Sequence, residues 1–555
     1  MQNPAAVLGR VQQPWADRKS RAGAPDWQQE RGQSSQQWHS PDPRPVGPRV
    51  ISSITGEGFP MNVSRSWVVT VVSLGLLAWC PPISWPQEKP EHQHLGRGDL
   101  ATSLKIFNLW GEQPAAKQEV VRVAYNFLST RPRGTIAELV QLPEFRRACQ
   151  EAGLTHLGGP MLGCLEPGGA RVWLRTLGPA QVSVEVTVNG EVRRFGPVES
   201  TPGTDYTAIV RVHGLPPGGA FPYRVLINGA PARIPENACF HTLPADPSHV
   251  RIVFGSCMHR WGLGNSRLLT QIRNRQPAAI LLIGDTAAQD RDNHLGLHRL
   301  DYLVRDLIPA WQELVAEIPV YVTWDDHDYF NNDKWGVPEG FTEEDRRGVW
   351  QVFTQCWNNP SYGFGPDGGG VFMRTRIGPC DVIMLDNRYF RQKGNFLGVR
   401  QMLWLKQQLR EAKGSFIILS CGTMWSDYVS AGKDSWGVFD PEGREELFRF
   451  IEENRIAGVL LISGDRHGAR GFTIPRGKGF QFYEFEGASL GGRSGPPVTQ
   501  PDWVTQLYGI SGQYAFSEFE FDTNKPDPEV TFRLFGEDGK VLFEKTLRRS
   551  ELTPP

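Results

Sequence analysis

The chain has 555 residues, 59 Lys and Arg against 60 Asp and Glu, and a formal net charge of −1, with 39% apolar residues, 60 glycines, 43 prolines and 18 tryptophans. That length exceeds what one core organises, so two or more folded units are expected. The balanced charge disfavours long-range attraction to nucleic acid or an anionic membrane, and the composition excludes a fibre, a coiled coil or a wholly disordered chain.

Residues 1–60 are rich in Pro, Gln, Ser, Arg and Trp without a sustained apolar period, and read as disordered. Residues 61–86, MNVSRSWVVTVVSLGLLAWCPPISWP, have the layout of a secretory signal. Arg65 precedes an apolar stretch from Trp67 to Trp79 that is short for a bilayer span, and prolines follow. The expected start is therefore Met61, with 1–60 a mis-called extension, and the expected location is secreted, periplasmic or cell-surface, with no transmembrane span in the mature protein. An internal buried helix is the competing reading. A lipid anchor at Cys80 is weakly suggested by LAWC, against which Trp79 stands where a small residue is needed.

Helical spacing in EVVRVAYNFLST and TIAELVQLPEFRRACQEAG predicts a small helical element over 99–155. From 158 to 245 short alternating runs, with Asn189-Gly190 and Asn228-Gly229 where tight hairpins need positive φ, predict an all-β sandwich of the fibronectin/Ig-like kind. Nothing in it looks catalytic. After 250 the apolar runs RIVFGSC, AAILLIGD, PVYVTWDDHD, DVIMLDNR, FIILSC and GVLLISGD alternate with helical stretches such as SRLLTQIRNR, HRLDYLVRDLIPAWQELVA, GVRQMLWLKQQLREAK and PEGREELFRFIEEN. That rhythm predicts an α/β domain over 250–548 with a largely parallel sheet, ligands gathering at the carboxyl ends of its strands. The alternating tail, YAFSEFEFD and EVTFRLFGEDGKVLFEKTL, is expected to complete a sheet of the same domain.

The strand ends carry the chemistry: Cys257; Asp285 and Asp290; Asp325, Asp326, His327 and Asp328; Asp386 and Arg388; Asp465 and His467. Carboxylates converging at one sheet edge repel and lose hydration unless cations neutralise them. Oxygen, imidazole and one thiolate suit two ions of differing softness, one iron-like or zinc-like and one harder. Two such ions with a hydroxide between them supply a nucleophile and a clamp for in-line displacement at phosphorus.

Plainer readings compete. Asp325 and Asp328 can cap turns, Cys257 and Cys421 can be small buried hydrophobes, and Tyr302 can be helix core. His241, His249 and His259 have no supporting pattern. The eight cysteines are scattered without a CxxC pair, so a disulfide scaffold is not expected, although isolated bridges stay open.

The motifs GSC (255–257), GDTAAQD (284–290), WDDHDYFNND (324–333), LDNRYFR (385–391) and GDRH (464–467) resemble, in order and spacing, those of PhoD-like alkaline phosphatases of the metallophosphoesterase superfamily. GPMLGCLEPGGARVWLR (159–175) is similar to part of the β-domain that precedes the catalytic domain there. The resemblance implies a four-layer α/β/β/α domain and two metals, Fe3+ and Ca2+, with Zn2+ or another divalent ion as the alternative. Asp285 would bridge them, Cys257 and His467 would hold the iron-like ion with Tyr302, and Asp326 and Asp465 the harder one with Asn331 nearby. His327 would protonate the leaving alkoxide and Arg388 would neutralise phosphoryl oxygens. Ala288 stands where many relatives carry Tyr, which leaves substrate contacts at that wall open.

The expected activity is hydrolysis of phosphomonoesters, extending to diesters, by a metal-bridging hydroxide. The alternatives are a phosphodiesterase or phospholipase D-type hydrolase on the same fold, or a decayed secreted binding protein. The expected partner is a phosphate ester, not nucleic acid.

Overall fold

In this computed structural model, residues 98–427 and 434–555 are described. The expected extension 1–60 and the signal segment 61–86 with Cys80 lie outside the described residues. Among the described residues four helices come first: Leu100–Phe107, Ala115–Leu128, Ile136–Leu139 and Pro143–Glu151. Asp99 caps the first by accepting the Thr102 amide at 2.8 Å, and Thr135 with Glu138 forms a capping box on the third. Their apolar stripe, Val120, Val121, Ala124 and Leu128, shares one core with Leu300 and Leu303 of the helix Leu295–Leu307.

The alternating runs from 158 onward form eight strands: β1 (Gly158–Glu166), β2 (Gly169–Arg175), β3 (Ala180–Val188), β4 (Glu191–Ser200), β5 (Thr207–Val212), β6 (Ala220–Ile227), β7 (Ala230–Pro231) and β8 (Cys239–His241). One sheet runs β1-β2-β5 and the other β4-β3-β6-β7, with β8 on β6. Val172, Leu174, Val184, Val186, Val210 and Val225 fill the space between them. Asn189 and Asn228 take φ of 52° and 51° and each is followed by a glycine above 80°, the geometry of the tight hairpin turn.

Thirteen strands follow. They are β9 (His249–Gly255), β10 (Ala279–Ile283), β11 (Val320–Thr323), β12 (Met373–Ile377), β13 (Cys380–Met384), β14 (Phe416–Ser420) and β15 (Val459–Ser463). Then come β16 (Gly468–Pro475), β17 (Gln481–Ala488), β18 (Gln506–Ile510), β19 (Ala515–Asp522), β20 (Glu529–Gly536) and β21 (Val541–Arg548). The parallel strands do not form one sheet, as the strand–helix rhythm suggested. They divide into a parallel trio in the sheet β11-β10-β9-β19-β20-β21 and a parallel quartet in β12-β13-β14-β15-β17-β16-β18. The expected tail strands β19 to β21 extend the first sheet.

Strand periodicity explains the layering. Ile252, Phe254, Leu281 and Ile283 face Val382, Met384, Ile418 and Leu460 between the two sheets. The intervening residues Val253, Ile280 and Leu282 face helices on one side, and Ile383, Ile417 and Leu461 face Leu405, Leu447 and Phe448 on the other. The result is α/β/β/α. The helical stretch 298–316 breaks at Ile308, which turns extended (ψ 119°) ahead of Pro309, the first residue of the next helix.

Sandwich and layers are joined by buried polar contacts. Asp205 accepts from Arg299 and from the Ala137 amide, both at 3.0 Å, and Trp173 donates to the Gln355 carbonyl at 3.0 Å. The seven cysteines among the described residues are free thiols. No helix among those residues is long and apolar enough to cross a membrane.

Candidate metal centre

Each parallel strand of apolar residues ends at the same edge, and the chain turns sharply just beyond. Cys257, Asp285, Asp465 and His467 take left-handed φ values between 43° and 70°, as do His259 and Asp290. Such conformations cost on the order of 1 kcal/mol each and persist where packing dictates them. Here the strands fix the backbone on both sides of each turn.

The side chains meet in two groups that share Asp285. Cys257, His259, Asp285 and His467 each present a donor atom, all within 4.8 Å of one another. Asp285, Asp325, Asp326 and Asp465 do the same on the other side, and Asp285, Asp326 and His327 form a third such set. The two residues of the GDRH turn thus part company, Asp465 among carboxylates and His467 among thiol and imidazoles.

The donor set fits cations. Asp285 Oδ1, Asp325 Oδ2 and Asp326 Oδ1 are buried with no hydrogen-bond partner among the described residues, a costly state for a carboxylate. Burial, with Asp325, Asp326 and Asp328 nearby, holds the Asp285 carboxyl well above its usual range against the pull of His327. Burial and then Asp326 and Asp325 lift Asp465 in the same way. Burial pushes Asp325 up to about 6 despite Arg388, and pushes the Cys257 thiol well up, helped by Asp285 and Asp465. A cation reverses each of these shifts.

His327 hydrogen-bonds Asp290 at 2.6 Å through Nδ1. Burial opposes charge on this ring, but Asp326, Asp285 and Asp290 outweigh it and raise its pKa well above the usual value. Arg388 is wholly buried, contacting Asp325 at 2.5 Å and Asp434 at 3.2 Å, with Asp326 at 3.7 Å. The half-buried side of the site carries Arg466, His467 and Arg493. Arg493, in the loop after β17, approaches His467 Nε2 at 3.5 Å.

Two further residues expected at the centre are Tyr302 and Asn331. Tyr302 packs edge-on to Trp357 at 6.0 Å and under Arg305 at 5.0 Å, and Asp328 and Cys356 are charges that act on its hydroxyl. That hydroxyl is buried with no hydrogen-bond partner among the described residues. Asn331 donates to Asp292 at 3.2 Å and accepts the Asn332 amide at 2.8 Å, so both ends of its side chain are engaged outside the carboxylate group. Asp325 and Asp328 also separate: Asp328 accepts the amides of Thr286 and Ala287, a turn-holding role, whereas Asp325 faces the carboxylate group. Ala288 is buried in the helix-side core. His259, for which the sequence raised no expectation, is in the cysteine–histidine group, and its only sequence signal is the offset of two from Cys257.

A family model described as PhoD-like phosphatase matches residues 252–546, and one described as a domain of unknown function (DUF7800) matches 154–244. A solved structure titled "Structure of PhoD" is 16% identical, covering 70% of this chain and 92% of that one with a TM-score of 0.55. The purple acid phosphatase PPD1 from yellow lupin (Lupinus luteus) seeds is 13% identical, covering 71% of this chain and 75% of that one with a TM-score of 0.53. No curated protein matches the sequence.

Proposed function

Because the chain belongs to the PhoD-like phosphatase family, and so to the alkaline phosphatase D-like phosphoric ester hydrolases, we propose that it is a secreted, metal-dependent phosphatase acting on phosphomonoesters and, more slowly, on diesters. The observation that carries this reading is the pair of donor groups hinged on Asp285, with guanidinium groups on the half-buried side. A carboxylate-rich floor holds cations, and cationic walls receive an anionic ester.

The fit divides by donor chemistry. Asp326 and Asp465, with Asp325 beside them, offer only oxygens and suit a hard ion such as Ca2+. Cys257 and His467 offer sulfur and nitrogen to a transition-metal ion, Fe3+ by the family resemblance or Zn2+, and Asp285 is shared. When bound, such ions polarise a phosphoryl oxygen and lower the pKa of water. His327, oriented by its hydrogen bond to Asp290, would carry the proton for the leaving oxygen. Arg493 and Arg466 meet the phosphoryl oxygens, while Arg388 adds its charge from behind Asp325 and keeps that carboxylate turned inward.

The test is hydrolysis of p-nitrophenyl phosphate and its bis-ester by purified protein, with metal content measured on the same sample. Activity on the monoester exceeding that on the bis-ester supports the reading, and metal-free protein with undiminished activity would sink it. Export through residues 61–86 is tested by N-terminal sequencing of protein recovered outside the cytoplasm. An intact residue 61–80 segment there would refute it.

A further inference from the structure

Resting on that reading of the centre, we propose that His259 is a metal ligand and that Cys257, His259, His467 and Asp285 together select a divalent, zinc-class ion in place of ferric iron. The four donor atoms lie within 4.8 Å of one another. Bonds of roughly 2.0–2.3 Å around a tetrahedral ion place its ligand atoms about 3.3–4 Å apart, so one ion can reach all four. Cys257 Sγ stands 3.6 Å from Asp285 Oδ2, within that spacing, and Asp285 Oδ1 is buried with no hydrogen-bond partner among the described residues.

The His259 ring is placed firmly. It is buried, stacked on Trp261 with centroids 4.5 Å apart, and 5.5 Å from the rings of both His467 and His327. A histidine so fixed loses little freedom on binding an ion.

Charge and softness then choose the metal. A thiolate and a carboxylate carry two negative charges, which a dication neutralises and a trication exceeds. Thiolate plus two imidazoles is a borderline-soft set that favours zinc, whereas ferric iron favours hard anionic oxygens such as a phenolate. The ring of the phenol nominated from the sequence, Tyr302, packs against Trp357 and Arg305, and its hydroxyl is buried with no hydrogen-bond partner among the described residues. With His259 the set holds four donors without a phenol.

The experiment measures metals in protein purified without added ions, then titrates chelated protein with Zn2+ and with Co2+ as a spectroscopic probe. About one zinc per chain and little iron are expected. The cobalt form should show thiolate charge transfer in the near ultraviolet and intense tetrahedral bands in the visible. His259→Ala should weaken zinc binding by roughly 100-fold or more and abolish the tetrahedral bands, His259→Cys should restore binding, and Tyr302→Phe should leave zinc content unchanged. Unfolding curves of the chelated variants separate lost ligation from lost fold. Stoichiometric iron with phenolate charge transfer, or unchanged zinc affinity in His259→Ala, would overturn the proposal while leaving phosphatase activity standing. Protein that binds no metal and hydrolyses no ester overturns the functional reading itself.

Discussion

Cys257 and Asp285 face each other at 3.6 Å, Sγ to Oδ2, from the ends of the neighbouring parallel strands β9 and β10. A thiol and a carboxyl pressed together in a buried place repel once both are ionised, and a cation between them turns repulsion into attraction. The same carboxylate faces three more on its other side.

Metal removal is therefore expected to destabilise the protein more than ordinary ligand loss. Saturating metal at 100 times its dissociation constant adds about 2.7 kcal/mol, so chelation should lower Tm measurably. Asp285→Asn should lose both ions and at least about 100-fold in kcat. In metal-free protein, however, its Tm should equal or exceed that of the metal-free wild type, because one repelling charge is gone. Paired melting curves with and without chelator check this, and a lower Tm for the metal-free variant would contradict it.

The bond between His327 and Asp290 predicts a dependence on the leaving group. His327→Asn should cost about 10²–10⁴-fold in kcat with an alkyl phosphate, whose alkoxide needs a proton, and far less with p-nitrophenyl phosphate. Asp290→Asn should show the same pattern in weaker form. Equal losses on both esters would argue for a purely structural role.

Two arginines should behave in opposite ways. Arg388→Met strands Asp325 without its cation and leaves Asp434 with Arg391 alone, and should destabilise by about 3–5 kcal/mol. Arg493→Gln, at a half-buried position, should leave Tm nearly unchanged while raising KM and weakening inhibition by inorganic phosphate by roughly 10-fold. Calorimetry and steady-state kinetics on both variants distinguish the roles.

A pH-dependent contact lies at the seam between β8 and the helical layer. Cys239 and then Glu317 hold the His241 imidazole up at about 9, and His241 holds Glu317 down at about 2. His241 binds its proton more tightly in the folded protein, so its contribution is full below pH 6.5 and fades as pH rises through 9; that of Glu317 is full above 4.5 and fades toward 2. The 3.4 Å contact is half exposed, and screening keeps its worth small. His241→Gln should lower Tm by roughly 1 °C at pH 6 and leave it unchanged at pH 10.

The strand ends were legible because each apolar run stops abruptly at Asp, His or Cys, and the strand itself settles where that residue emerges. The division into two sheets came from the family motifs and not from the strand pattern, since β9 to β11 and β13 to β15 have the same apolar texture and partner choice is made by residues far apart in sequence. Tyr302 could not be assigned to a face, because every residue of its helix is buried. His259 lies in a short turn where no periodicity exists to point a side chain, and only the close approach of Cys257, Asp285 and His467 reveals it.

Asp205 ties together three stretches of chain that are made at very different times. Its carboxylate takes the Ala137 amide from the leading helices and the Arg299 guanidinium from the helical layer, with Arg175 of β2 at 3.8 Å. While the polypeptide is being synthesised, the leading helices and the sandwich must wait for residue 299 before this knot can close. Nascent chains halted in the β-domain are thus expected to be sticky and protease-sensitive, and the domain, although recognisable on its own as a sequence unit, is a poor choice for expression in isolation.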